Sequence, residues 1–123
     1  MSRVHFMLAA GMIFLGAAFP VNRAIAQSTA ITDDNLAQMT ESAKTAADHQ
    51  ALAAYYQQEA AAAKKKAELH LNTADTYKKL KIAKPVGMVR MCKNVAAYWN
   101  NIAAEDEKLA EAQTELAKQA GGS

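Results

Sequence analysis

The stretch "IAKPVG", residues 82–87, is the strong interruption in a chain that is otherwise rich in alanine, lysine and glutamate from Thr45 to Ala120. Pro85 is tolerated in the first turn of a helix but not inside one, and Gly87 is a poor interior helix residue. Long segments without strand-like alternation flank this break. The pattern predicts two long helices joined by a short turn, with the chain reversing between Lys81 and Met88.

The upstream segment opens with Thr45 and Asp48, at the spacing of a capping box in which Asp replaces the usual Glu. The downstream segment runs to the glycines of "GGS", which end it. A shorter piece, "TDDNLAQMTESAK", begins at Thr32 with acidic residues in its first turn, as a helix start prefers. The expected fold is all-α: an antiparallel helical hairpin of two coiled-coil-like helices after a short N-terminal helix. The boundaries read as residues 27–44 for the N-terminal segment, 45–120 for the hairpin (45–82 and 86–120), and 121–123 for a tail.

Residues 1–26 read as an export signal rather than part of the fold. Arg3 precedes an apolar run from Val4 to Phe19, and Ala24-Ile25-Ala26 forms a small-x-small cleavage signal before Gln27. The run is shorter than the ~20 apolar residues of a spanning helix, and no cysteine directly follows it for lipid attachment. The expected product is therefore soluble and exported, either periplasmic or secreted.

Cleavage removes Arg3 and Arg23, leaving 12 basic and 12 acidic residues. No nucleic-acid partner is expected of this neutral chain. The remaining 97 residues include 23 alanines and none of the three phenylalanines. So thin a core suggests that self-association completes it.

Two sets of heptads mark the helices. His49, Tyr56, Ala63, His70 and Tyr77 recur every seven residues, with Ala53, Ala60, Ala67 and Ala74 beside them. Downstream, Met88, Val95, Ile102, Leu109 and Leu116 do the same. Sustained sevens predict a coiled-coil seam. With the turn centred on Lys84, facing residues should have numbers summing to about 168. That register brings Lys64-Lys65-Lys66 close to Glu105-Asp106-Glu107.

The repeat "HQALAAYY" (49–56) and "HLNTADTY" (70–77), followed by Cys92 and Tyr98, resembles a group of small, exported, uncharacterised bacterial proteins. These carry a His-x-x-x-Ala-x-x-Tyr repeat on one long helix and a His-Cys pair opening the return helix. The match covers roughly Thr45 to Lys118. It departs at Met91, where the group tends to have His, and at Gln113, where a later His is common. The resemblance implies a helical hairpin and brings no activity with it.

The candidate chemistry is limited. Met88, Met91 and Cys92 share a helix face by spacing, and soft sulfur ligands suit Cu(I). Methionine and free cysteine also pack well as core groups, so the cluster reads first as packing against the partner helix. The alternative is a small metal- or oxidant-responsive protein using Met88, Met91 and Cys92. His49 and His70 lie 21 residues apart, about 31 Å along a straight helix, and cannot share an ion. Both are expected to be packed and bonded to a Tyr hydroxyl or a backbone carbonyl, with His70 meeting Tyr98 and Trp99. No haem-attachment, zinc-finger, phosphate-loop or HExxH pattern is present. Neither an enzyme nor a cofactor is expected.

One feature is left over. Lys78, Lys79, Lys81, Lys84, Arg90 and Lys93 crowd the turn, with Asp75 the only nearby acid, while carboxylates collect at the opposite end. Lysines at the end of the first helix suit its dipole, but Arg90 and Lys93 lie near the start of the next, where positive charge is disfavoured. The tip is therefore a candidate contact for an anionic partner: phosphorylated envelope material, an acidic protein, or the acidic end of another copy. The sequence thus points to an interaction or structural protein, self-associating or bound to an envelope partner.

Overall fold

The computed structural model describes residues 29–81 and 85–122. The predicted export signal, Lys84 and Ser123 lie outside them. The described chain contains three helices: α1 (Leu36–Ser42), α2 (Ala46–Lys79) and α3 (Pro85–Gly121). α2 and α3 pack along their length as a helical hairpin, and α1 rests against α2.

The helix ends follow from local chemistry. Thr45 Oγ1 accepts from the Asp48 N–H at 3.2 Å, and Asp48 Oδ2 accepts from the N–H groups of Thr45 and Lys44 at 2.8 and 3.0 Å. This reciprocal box satisfies N–H groups that have no carbonyl partner at a helix start. It also holds the Asp48 carboxyl below the usual aspartate range, chiefly through the backbone bonds from Lys44 and Thr45. α2 ends where Leu80 turns to extended backbone and its N–H returns to Thr76 and Tyr77. Pro85 opens α3 as its first residue, where its missing N–H costs nothing. Gly87 therefore lies inside α3 rather than in the turn.

The N-terminal segment differs from the expectation that a helix begins at Thr32. Asp33 and Asp34 lie in a turn before α1, not in its first helical turn. Asn35 locks that turn: its Oδ1 accepts from the Thr32 N–H at 2.8 Å, and its Nδ2 donates to the Ala30 carbonyl at 3.0 Å. A side chain that bonds locally in this way competes with helix formation.

Four contacts define the antiparallel register. A Cβ placed on Gly121 would lie 3.6 Å from that of Ala46. His49 Nδ1 is 2.8 Å from Gln113 Oε1, Lys64 pairs with Glu107, and Lys66 Nζ lies 4.2 Å from the Trp99 ring centroid. In that order their residue numbers sum to 167, 162, 171 and 165, all within six of the expected 168.

The seam corrects the sequence reading of α3. The fully buried positions are Ala96, Ala103, Ala110 and Ala117, opposite a buried column of Ala53, Ala60, Ala67 and Ala74 on α2. The larger heptad expected there is displaced by one residue. Val95, Leu109 and Leu116 remain 37%, 44% and 41% exposed, and Met88 and Ile102 are half-buried. Helix axes separate according to the side chains between them. Alanine facing alanine lets the backbones close, whereas a leucine column would wedge them apart. On α2, His49, Tyr56, His70 and Tyr77 likewise flank the seam, half-buried, while Ala63 is inside it. Leu52 is the largest fully buried side chain.

Candidate interaction surface

A residue one position from the seam is rotated about 100° around its helix. Val95, Ile102, Leu109 and Leu116 therefore form an apolar column along the side of α3. Trp99 lies on the same flank, half-buried, with Lys66 from α2 over its ring. Tyr98 meets Trp99 edge-on at 6.0 Å between centroids but is itself 63% exposed. Tyr98 turns outward, and Lys66 lies over the tryptophan. A cation over an indole face gains quadrupole attraction while its methylenes cover the ring.

The histidines have different roles. His49 bonds to the side-chain amide of Gln113 across the hairpin, not to a tyrosine or a backbone carbonyl. His70 is half-buried and makes no hydrogen bond among the described residues.

The three sulfur side chains do not all face the partner helix as expected. Met88 and Cys92 are half-buried, whereas Met91 is 58% exposed. Cys92 is a free thiol. No three of the His, Cys, Asp and Glu side chains among the described residues are grouped to hold a metal ion.

Among the described cations of the turn, Lys78 pairs with Asp75 at 2.6 Å. Its hydrogen bond and charge hold the Asp75 carboxyl below its ordinary value. Lys79, Lys81, Arg90 and Lys93 are exposed and form no ion pair among the described residues. At the open end an N-terminal arm crosses the back of α2. There the Tyr55 hydroxyl donates to Asp33 Oδ1 at 2.6 Å, which pushes the phenol's pKa up strongly. An open groove on the other flank of the hairpin is lined by Gln57, Glu107, Glu111, Thr114, Glu115 and Lys118.

Sequence reasoning missed the Tyr55–Asp33 latch, the His49–Gln113 bond and the α3 seam. Only the last had a readable signal. Ala96, Ala103, Ala110 and Ala117 share the period of the α2 alanines, and small residues on both helices would have marked the closer contact.

No helix among the described residues is long and apolar enough to cross a membrane. Comparisons with protein-family models, curated proteins and solved structures return no match.

Proposed function

We propose that this protein is an exported, non-enzymatic helical interaction protein that self-associates through the side of its hairpin. The observation that carries the reading is the exposed column Val95–Leu109–Leu116 beside a core of nine alanines and one leucine. Each alanine removes little apolar surface from water, and burial stabilises by ~25 cal/mol per Å². Covering the column would supply the apolar burial that the seam itself provides only sparingly.

Several polar side chains that could serve catalysis have structural partners instead, which favours an interaction role. Asp48 caps α2, Asp33 holds Tyr55, Gln113 holds His49, and Asp75, Glu105, Glu107 and Glu115 pair with lysines. Export rests on the N-terminal pattern of Arg3, the apolar run and Ala24-Ile25-Ala26.

The test is sedimentation equilibrium with thermal melting over a wide range of chain concentrations. A self-associating chain shows a mass above the monomer and a melting temperature that rises with concentration. A monomer whose melting temperature is independent of concentration overturns the reading. Repeating the series with reductant separates packing from a Cys92 disulfide.

A further inference from the structure

The charges divide along the hairpin more completely than the tip alone suggests. Residues 64–93 carry nine basic side chains and two acidic ones, a formal charge of +7. Residues 27–63 carry one basic and five acidic, and residues 94–123 two basic and five acidic, together −7. Folding brings these two acidic flanks to the same end, since Ala46 meets Gly121 and His49 meets Gln113. The hairpin is thus a rod with one basic half and one acidic half. Lys64–Glu107 lies near their border.

The apolar column has its own symmetry. Val95 and Leu109 lie seven residues either side of Ile102, and Met88 and Leu116 fourteen. α3 runs from Pro85 to Gly121, so Ile102 is also close to the helix midpoint.

We propose that a second copy of this chain packs antiparallel on this column, with the two-fold axis passing beside Ile102. The inference rests on the self-association proposed above and adds the partner's surface and orientation. Reversal about that axis sets Val95 against Leu109 of the other copy and Met88 against its Leu116, so large side chains meet along the whole column. It also lays each basic half along the other copy's acidic half. Parallel pairing would instead set basic beside basic and acidic beside acidic, a like-charge arrangement that disfavours that register. A two-fold contact uses one patch on both partners and closes after two copies. The unpaired Lys79, Lys81, Arg90 and Lys93 then lie toward the acidic end of the second hairpin.

The orientation is testable by disulfide trapping. In the antiparallel pair the two Cys92 residues lie about 30 Å apart, twenty residues at helical rise, so the wild-type chain should form no disulfide-linked dimer under mild oxidation. Placed in a Cys92→Ala background, Ile102→Cys should cross-link with itself across the axis. Val95→Cys and Leu109→Cys should each cross-link poorly alone and several-fold better when the two variants are mixed. Circular dichroism checks that each variant keeps its helix, and sedimentation without oxidant checks that it still associates.

A dimer in which Cys92 or Val95→Cys cross-links readily with itself overturns the antiparallel orientation while leaving self-association in place. A chain that stays monomeric at every concentration overturns both. A monomer that binds phosphatidylglycerol vesicles through the basic half also overturns the inference, and assigns the tip to an anionic surface instead.

Discussion

His49 Nδ1 lies 2.8 Å from Oε1 of Gln113, a hydrogen bond that joins residues 64 positions apart near the open end of the hairpin. It ties α2 to α3 where helix ends would otherwise fray. A neutral hydrogen bond contributes about 0.5–1.5 kcal/mol net, and leaving one part-buried partner unsatisfied costs at least as much. Gln113→Ala should therefore lower stability by about 1 kcal/mol in urea unfolding, with His49→Ala giving a similar loss. The double variant should cost clearly less than the two losses added. Simple additivity would show that the bond contributes no coupling.

The Thr45–Asp48 box sets the start of α2. Thr45→Ala should cost about 0.5–2 kcal/mol by removing the side-chain acceptor. Asp48 adds a pH dependence of known sign. Its folded pKa is depressed, so its contribution is present above the ordinary aspartate value of about 3.9 and is lost as pH falls through the folded pKa. Unfolding curves of wild type and Asp48→Ala should therefore differ at neutral pH and converge in acid. A gap that stays constant to low pH would mean that packing, not the ionised cap, accounts for the difference.

Gly87 is the third residue of α3, and a Cβ added there meets nothing within 4 Å. Gly87→Ala should stabilise the protein by roughly 0.5–1 kcal/mol, because alanine loses less backbone entropy on entering a helix. An unchanged or lower urea midpoint would indicate that the first turn of α3 needs glycine.

The alanine seam predicts sensitivity to added volume. Ala103 is 1% exposed between the helices, while its neighbour Ala104 is exposed. Ala103→Leu should destabilise by about 1–3 kcal/mol by forcing the helices apart. Ala104→Leu, on the outer surface, should stay within about 0.5 kcal/mol of wild type. Equal effects at the two positions would place the seam elsewhere.

The N-terminal arm depends on one bond. Tyr55→Phe removes the hydroxyl that donates to Asp33 while keeping the ring against Tyr56, whose centroid lies 5.3 Å away. The arm around residues 29–35 should become more open to limited proteolysis, with the helix content of α2 and α3 unchanged. Cleavage kinetics identical to wild type would mean that packing of Ile31 and α1, not the bond, retains the arm.

The helices themselves were legible in the sequence because their causes are local. Pro85 marks the start of the return helix, Thr45 and Asp48 make the cap, and the sevens give the period. The antiparallel register was legible too, since a hairpin with a short turn leaves few alternatives and Lys64 needed an anion near residue 107. Which column of α3 meets α2 was not settled by period, although the matching alanines on both helices hinted at it. Ala103 and Ile102 have the same heptad period, so spacing cannot rank them, and hydrophobicity alone favours the wrong one. Their ranking depends on how closely two backbones approach, which is a property of the helix pair. The exposure of Val95, Leu109 and Leu116 follows from that choice, and so does the surface proposed for a second copy. The Tyr55–Asp33 and His49–Gln113 bonds were hidden for the same reason: each joins distant residues whose side chains carry no mark of their partner until packing brings them together.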